Sequence, residues 1–292
     1  MTKLKEALTA GQFAVTCEVG PPKGVHVEKY LEEAEALKQR VTAFNVTDLQ
    51  SAVMRFGSLA TCRLLLDRGL EPVLQMTCRD RNRLALQSDL LSAYGLGVEN
   101  VLCLTGDHQR LGDHPQAKGV FDLDSVQLLD TAQKLQNGKD LAGNELEGAP
   151  SFYLGAVVTP EGEPLEAHLL KMEKKIRAGA QFFQTQAVYD TEKFKTFMKE
   201  VAPFNVPIMA GLVILKSVGM ARYMNANVAG IKVPEDLIEE LKKDKDKTKS
   251  GQTGIEIAVR IIRQVKDHCQ GIHLMPLGWE DKVPAILDGA GL

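Results

Sequence analysis

A repeated alternation of short apolar runs with longer amphipathic segments is the feature that most constrains the fold of this chain. Eight apolar runs cover residues 13–19, 43–47, 72–76, 101–104, 152–158, 182–185, 207–211 and 272–275. A segment of helical periodicity follows each run, as in parallel strands joined by right-handed helical crossovers. Eight such cycles in 292 residues predict a closed (β/α)8 TIM barrel, an α/β fold that uses residues 1–292 as a single domain.

Two other architectures suit the length of the chain: a doubly wound parallel sheet, and a pair of medium-sized domains. A doubly wound sheet that binds a dinucleotide carries a G-x-G-x-x-G turn directly after its first strand. Here the first run ends in Glu18-Val19-Gly20-Pro21-Pro22, which cannot form that turn. The barrel is therefore the favoured architecture.

Two insertions interrupt the strand–helix cycle. Residues 137–150 are rich in glycine and acidic side chains, which predicts an exposed loop. Between the seventh and eighth strands we expect two extra helices, at residues 235–243 and 254–268. The charge run at residues 242–247 joins them, and such a run is typical of a solvated face or linker.

Charge, cysteine usage and hydropathy restrict the compartment and the partners of the chain. With 35 Lys and Arg against 38 Asp and Glu, the net charge of -3 offers no positive field for nucleic acid. The five cysteines are scattered singly, without the close pairs that hold zinc or iron–sulfur clusters, and predict reduced thiols in the cytoplasm. No apolar run of about 18 residues occurs, so we expect neither a membrane span nor an ordinary secretory signal.

Active sites of such barrels lie at the carboxyl ends of the strands, where two acidic residues stand out. Glu18 lies within an apolar strand end, and loss of hydration there would raise its proton affinity toward that of a general acid. A structural carboxylate paired with a lysine or arginine is an equal alternative. Asp107 follows the fourth strand after Gly106, which lets the backbone approach a ligand closely, although an aspartate in a turn commonly only caps the loop.

Other polar clusters carry weaker signals. His108 and His114 flank a polar loop, but their spacing matches no standard metal site, so no metal is predicted. The Lys174-Lys175 pair is ordinary on a surface helix. The cysteines near strand ends, Cys17, Cys78 and Cys103, suit small buried core thiols.

Taken together, the strand ends resemble those of the methylenetetrahydrofolate reductase family. The matching segments, in chain order, are Cys17 to Pro22, Asn45 to Asp48, Gln75 to Cys78, Leu104 to Asp107, Phe152 to Pro164, Gly179-Ala180, Thr185-Gln186 with Tyr189-Asp190, and Val233-Pro234. They cover nearly the whole chain. Members of this family are barrel enzymes that use a flavin to reduce 5,10-methylenetetrahydrofolate to 5-methyltetrahydrofolate in one-carbon metabolism.

The resemblance implies roles for individual residues. Glu18 is similar to the family acid that protonates N10 of the folate, which opens the five-membered ring to a 5-iminium cation that takes hydride from N5 of the reduced flavin. Asp107 corresponds to an aspartate beside flavin and pterin, and Gln186 to a folate-contacting glutamine. Trp279 replaces an arginine that contacts folate, and Tyr223-Met224 replaces a phenylalanine over substrate or nicotinamide.

The resemblance also implies a flavin site, with FAD favoured over FMN. The implied positions are Thr47, Asp48, Gln75, Thr105, Gly106, Asp107, Phe121, Asp124, Thr159, Glu163, His168, Lys171, Lys174 and Lys175, with Lys175 facing phosphate. The chain departs from the family at three of them: Thr105 replaces an arginine, and Gln75 and Glu163 each replace a histidine.

The short form of the sequence resembles the flavin subunit of two-subunit reductases from anaerobic, Wood–Ljungdahl-like pathways. Their second subunit is rich in cysteine and carries iron–sulfur clusters and zinc. The resemblance therefore implies such a partner, because this chain has no cluster-type cysteine spacing. The electron donor stays open between NADH, NADPH, a ferredoxin and a partner complex.

Three functions are compatible with these residues. The first is flavin-dependent reduction of methylenetetrahydrofolate, the second a flavin-carrying electron-transfer subunit, and the third a flavin-free, pterin-binding barrel of the methyltransferase type. Glu18, Asp107 and Gln186 together favour the first over the second, because electron relay needs no acid beside a pterin pocket.

Overall fold

Eight parallel strands form a closed barrel in the computed structural model, which describes residues 1–292. The strands are β1 (Ala14–Val19), β2 (Ala43–Val46), β3 (Pro72–Thr77), β4 (Asn100–Leu104), β5 (Tyr153–Val158), β6 (Phe182–Ala187), β7 (Ile208–Val213) and β8 (Gly271–Met275). Each strand pairs with the next along the chain, and β8 pairs with β1 to close the barrel. The predicted (β/α)8 barrel is therefore confirmed.

Helices surround the barrel and follow the strands in the predicted order. They are α1 (Lys3–Thr9), α2 (Glu28–Ala36), α3 (Ser58–Asp67), α4 (Arg83–Gly95), α5 (Ser125–Gln136), α6 (Leu165–Arg177), α7 (Thr191–Val201), α8 (Val218–Asn227), α9 (Glu235–Lys243), α10 (Lys245–Ser250), α11 (Gln252–Val265) and α12 (Val283–Ala290). The main hydrophobic core lies between the strands and these helices. None of the helices has the length and apolar character that crossing a membrane requires.

Helix α1 was not predicted, and it closes the amino-terminal end of the barrel. Its side chains Leu4, Ala7 and Leu8 are buried and pack in a second cluster with inward-facing strand residues such as Leu102 and Phe182. The hydroxyl of Thr2 caps the helix by accepting a hydrogen bond from the Lys5 amide at 3.2 Å. The mouth at the opposite, carboxyl end of the strands is thereby the open end.

The insertions agree with prediction except at the charge run. Residues 137–150 form a mostly exposed loop with one isolated bridge between Lys139 and Glu145. The linker predicted at residues 242–247 is wrong in part, because the short helix α10 begins within it. Asp244 caps that helix through the Lys247 amide, and the buried Thr248 hydroxyl donates to the Leu241 carbonyl at 2.8 Å.

Candidate active site

Side chains at the carboxyl ends of the strands meet at the open mouth of the barrel. Residues of a strand alternate between two faces, so Ala14, Thr16 and Glu18 of β1 share one face. Ala14 belongs to the interior cluster, and Thr16 contacts Gln184 of β6 across the barrel. Glu18 therefore faces the interior, one layer above Thr16 and nearest the mouth.

Glu18 is held in a buried, polar environment. It is 7% exposed, and its Oε1 accepts a hydrogen bond from the Gln75 amide at 3.2 Å. Gln50 donates to Oε2 at 3.3 Å, and Nε2 of His273 on β8 lies 3.7 Å from Oε1. The basic residue nearest to the Glu18 carboxylate is thus a histidine, so the alternative that Glu18 pairs with a lysine or arginine is wrong. Gln75, predicted at the flavin, lies against this acid.

A layer of polar side chains crosses the barrel interior directly below Glu18. Gln184 and Asn45 exchange two amide hydrogen bonds, at 2.8 and 3.1 Å. The Gln184 amide also donates to Oγ1 of Thr16 at 3.1 Å, and that oxygen lies 2.9 Å from Nδ1 of His273. Barrel interiors are usually filled by branched apolar residues, so this layer is unusual. Thr16 and His273 were not among the predicted site residues, although both are polar residues at inward positions of apolar strands.

The Asp48 side chain is buried and hydrogen-bonded to neighbouring protein groups. Its carboxylate accepts hydrogen bonds from the amide and hydroxyl of Thr77, both at 2.9 Å, and from Arg81 at 2.8 and 3.0 Å. Burial alone would raise the pKa of Asp48, but the Arg81 guanidinium and the Thr77 donors outweigh it and hold that pKa below its usual value. The carboxylate is thus saturated by protein donors, and the predicted flavin contact stays a prediction.

The loop after β4 comes close to the end of β3, as Gly106 requires. Gly106 has a φ of 92°, and a Cβ there would lie 3.0 Å from Cβ of Thr77. The buried Arg79 donates to the backbone carbonyls of Leu49 at 3.2 Å and Asp107 at 3.3 Å. Arg79 thereby joins the loops that follow β2 and β4 and leaves the Asp107 side chain exposed at the mouth.

Five of the predicted flavin positions line one cavity between β4, β5 and α6. This cavity of about 200 Å³ is lined by Thr105, Thr159, His168, Lys171 and Lys175, with Ser125 at the start of α5. Lys175 is 7% exposed, and its ammonium donates to the Val157 carbonyl at 2.5 Å. Burial, with a smaller effect from Lys171, lowers the pKa of Lys175 to about 8. A buried cation beside a helix amino terminus suits an anion such as phosphate.

Four other predicted flavin positions lie outside this cavity. Lys174 and Glu163 are exposed. Asp124 caps α5 by accepting from the Val126 and Gln127 amides, at 2.8 and 2.9 Å. The half-buried Phe121 stacks on His108, with ring centroids 6.3 Å apart.

The hydroxyl of Thr47, another predicted flavin position, is buried without a hydrogen-bond partner, so it can form a hydrogen bond with a ligand.

The predicted substrate positions have mixed surroundings. Gln186 is half-buried on β6. Tyr223 is 63% exposed on α8, whereas the neighbouring Met224 is buried in the main core. Trp279 packs near Gly251, and the Lys216 ammonium lies 5.1 Å from the centroid of its ring. Met224 belongs to the main core, and the partly buried Trp279 packs against it.

The loop histidine His114 and the five cysteines have distinct surroundings. His114 lies 2.8 Å from Asp113 through Nδ1, and no group of three or more His, Cys, Asp or Glu side chains is arranged to hold a metal. All five cysteines are free and buried, which confirms the prediction of core thiols. Burial raises the pKa of Cys78 to about 12 and that of Cys269 to about 11.

The fold and the site define a class: a parallel (β/α)8 barrel with a buried acid at the mouth and a cationic cavity beside it. The sequence model of the family described as "Methylenetetrahydrofolate reductase" matches residues 3–291. The chain therefore belongs to the methylenetetrahydrofolate reductase family.

Curated relatives bear related names at low sequence identity. "Methylenetetrahydrofolate reductase 2" of Schizosaccharomyces pombe is 26% identical over 88% of this chain and 43% of its own length. "Methylenetetrahydrofolate reductase (NADH) 1" of Arabidopsis thaliana is 26% identical over 99% of this chain and 50% of its own length. The Salmonella typhimurium "5,10-methylenetetrahydrofolate reductase" is 24% identical over 77% of this chain and 72% of its own length. The chain thus spans about half the length of the first two relatives.

Solved structures share the fold at still lower identity. A Clostridium thermocellum protein described as binding two copies of 5-methyl-5,6,7,8-tetrahydrofolic acid has a TM-score of 0.65 at 18% identity, over 99% of this chain and 98% of its own. A 2,3-dimethylmalate lyase has a TM-score of 0.54 at 12% identity, over 100% of this chain and 86% of its own. Similarity at this level shows the barrel fold alone.

Proposed function

We propose that this chain is a flavin-dependent reductase that converts 5,10-methylenetetrahydrofolate to 5-methyltetrahydrofolate. The observation that carries the proposal is the buried carboxyl group of Glu18 at the barrel mouth, in a chain of the methylenetetrahydrofolate reductase family. The methyltetrahydrofolate bound by the Clostridium thermocellum neighbour is the product of this reaction, which adds support.

Glu18 acts as the acid of the folate step. Its proton passes to N10 of the substrate, the bond between N10 and the methylene carbon breaks, and a 5-iminium cation forms. The carboxylate that remains is stabilised by the amide donors of Gln75 and Gln50, at 3.2 and 3.3 Å. These donors are fixed before the reaction begins, so little reorganisation accompanies the change of charge.

Asp107 and Gln186 act on the pterin. The exposed carboxylate of Asp107 places a negative charge at the mouth, which favours a cationic iminium over the neutral substrate. The Gln186 amide can both donate to and accept from the pterin edge, which fixes the orientation of the ring.

The cofactor positions fit a flavin at two places. The cavity around Lys175 suits a flavin phosphate, since its cations have no carboxylate among the lining residues. The unpartnered hydroxyl of Thr47 offers a hydrogen bond to a polar ligand group. A bound flavin would supply the hydride that reduces the iminium carbon to a methyl group. Of the two forms, we propose FAD before FMN.

Spectroscopy of the reconstituted chain tests the function. After incubation with FAD or FMN, the purified protein should retain a visible flavin spectrum, and methylenetetrahydrofolate should restore that spectrum after anaerobic reduction. Glu18→Gln should bind flavin and accept electrons from the reductant, yet lose the folate step. Glu147→Gln, in the exposed loop, is the matched control and should keep both steps.

Each other outcome identifies an alternative. A chain that binds flavin but is not reoxidised by methylenetetrahydrofolate would be an electron-transfer subunit. A chain that binds methyltetrahydrofolate but no flavin would be a pterin-binding barrel of the methyltransferase type. Full folate activity in Glu18→Gln would remove Glu18 as the acid.

We also propose a cysteine-rich partner subunit as the source of electrons. The resemblance to two-subunit reductases supports this proposal, and all five cysteines of this chain are individually buried. Recovery of the chain from its native host, with iron, zinc and flavin assayed on the complex, tests it. Recovery of the chain without iron or zinc would contradict the proposal of a cysteine-rich partner subunit.

A further inference from the structure

The polar layer below Glu18 connects the acid to the opposite side of the barrel. Starting at Asn45, hydrogen bonds run through Gln184 and Thr16 to His273, whose other ring nitrogen faces Glu18 at 3.7 Å. Every member of this chain of contacts is less than a tenth exposed. Of these five residues, the proposed reaction uses only Glu18, and the other four have no role in it yet.

The direction of the hydrogen bonds favours one tautomer of His273. The Gln184 amide nitrogen can only donate, so the Thr16 hydroxyl oxygen accepts from it at 3.1 Å. The hydroxyl hydrogen of Thr16 is then available to Nδ1 of His273 at 2.9 Å, and Nδ1 is the acceptor in the tautomer that uses it. A neutral imidazole with an accepting Nδ1 carries its hydrogen on Nε2. That hydrogen is directed to the side of the ring where Oε1 of Glu18 lies.

We propose that His273 is a positioning residue for Glu18, held by Thr16 in the tautomer that presents Nε2–H to the carboxylate. The inference rests on the proposed function, since it concerns the same acid. At 3.7 Å the contact is longer than a hydrogen bond, and such contacts commonly shorten when substrate binds. Oε1 faces His273 and accepts from Gln75, which leaves Oε2, the acceptor of the Gln50 amide, as the oxygen that passes the proton to the substrate.

Other ionisable groups lie on the outer side of Glu18. Glu33 of α2 and Glu280, in the turn just before α12, line a small cavity with Glu18 and Cys17. Both carboxylates thus approach Glu18 from the side away from His273. From the inner side of the barrel, His273 is the ionisable residue that faces the acid. A change at Thr16 or His273 therefore tests that side selectively.

Paired variants test the proposal through the folate step. Thr16→Val removes the hydroxyl at equal volume, and Thr16→Ser keeps it; His273→Leu and His273→Gln form a second pair. We expect Thr16→Val and His273→Leu to slow single-turnover oxidation of reduced flavin by methylenetetrahydrofolate by about tenfold, the value of one charge-assisted contact. In both variants the pH optimum of this folate step should shift, and the KM for methylenetetrahydrofolate should stay constant. Thr16→Ser should keep the wild-type rate and profile.

Nitrogen-15 NMR of the histidine rings gives a readout that needs no activity. Wild-type His273, assigned by the signal that His273→Gln removes, should show a protonated Nε2 and an unprotonated Nδ1. Thr16→Val should abolish this single tautomer, and Glu18→Gln should shift the Nε2 resonance. An Nδ1–H tautomer in the wild type, or an unchanged pH profile in Thr16→Val, would overturn the proposal. If the wild type lacks the folate reaction, the proposed function fails, and the NMR result still decides the position of His273.

Discussion

Lys175 combines a cost to folding with the proposed contact to a flavin phosphate. Its ammonium is buried beside Lys171, and burial lowers its pKa from 10.5 to about 8. Between these two values the unfolded chain holds a proton that the folded chain has released, so stability rises with pH across this window. Below about pH 8 both states are protonated, and the full cost of burying the charge is present.

Lys175→Met should therefore stabilise the flavin-free protein and weaken flavin binding. Below pH 8 we expect a gain of about 1–3 kcal/mol in the free energy of unfolding, since one unit of pKa shift corresponds to about 1.4 kcal/mol. The Val157 carbonyl loses its donor in this variant, which offsets part of the gain. Flavin affinity should fall by about tenfold or more with the loss of a charged contact. Chemical denaturation and fluorescence titration measure the two effects.

The neighbouring exposed residue provides the control for this prediction. Lys174→Met removes a charge of the same sign from the same helix but outside the cavity, and should change neither quantity. A flavin affinity that is unchanged in Lys175→Met, or lowered equally in Lys174→Met, would contradict the assignment of the phosphate to this cavity.

Asp107 is predicted to act through its charge. Its carboxylate is exposed, and Arg79 holds only the backbone carbonyl of the residue. In Asp107→Asn the flavin potential should rise, because a negative charge near the ring disfavours the electron-rich reduced form. Folate reduction should slow at the same time. Potentiometry on the reconstituted protein checks the shift, and an unchanged potential would place Asp107 away from the flavin.

At the level of elements, α1 forms the floor of the barrel. Leu4 is fully buried among inward-facing strand residues, and Leu8 is nearly so. Helix α1 lies at the opposite end from Glu18 and the cavity around Lys175. Its packing should therefore contribute to stability without affecting the site.

Leu4→Ala should lower the free energy of unfolding by about 2–4 kcal/mol, the usual cost of a cavity left by leucine in a core. Flavin affinity and the folate step should be unchanged, because the site lies at the other end. Glu6→Ala, on the exposed face of the same helix, is the control, with an expected change within about 0.5 kcal/mol. Loss of flavin binding in Leu4→Ala would show that the floor and the mouth are coupled.

These elements show which parts of the structure the sequence could predict. The strands and their helices follow from local periodicity, and the barrel follows from their number and order. Helix α1 escaped detection because it is short, although Thr2 and the spacing of Leu4, Ala7 and Leu8 are its signals. Helix α10 was missed because its charge pattern is that of a linker, while one buried residue, Thr248, holds it.

The site was predictable only as far as single strands determine it. The position of Glu18 at a strand end follows from the sequence, but its contacts with Gln75 and His273 require the arrangement of three strands. The interior layer depends on register across the barrel, for example between Thr16 and Gln184 on β1 and β6. No local pattern in the sequence encodes contacts between strands on opposite sides of the barrel, so this polar layer could not be predicted.

At the scale of the whole molecule, the eight strands form one closed ring. β1 pairs with β8 through Ala14 and Gly271 at one end of the register, and β4 pairs with β5. The exposed loop at residues 137–150 falls between β4 and β5, so it divides the chain into two halves of four strands each. Neither half can close a barrel alone, and each would expose two strand edges.

Cleavage in this loop should therefore leave one cooperative unit. A protease site inserted between Gly143 and Asn144 lies in exposed chain, and the uncut insertion protein is the control. After cleavage we expect the halves to elute together and to unfold in a single transition at lower stability, because the ladders between β4 and β5 and between β8 and β1 still hold them. Calorimetry and size-exclusion chromatography measure this. Two separate transitions, or halves that part without denaturant, would contradict the proposal that residues 1–292 form a single domain.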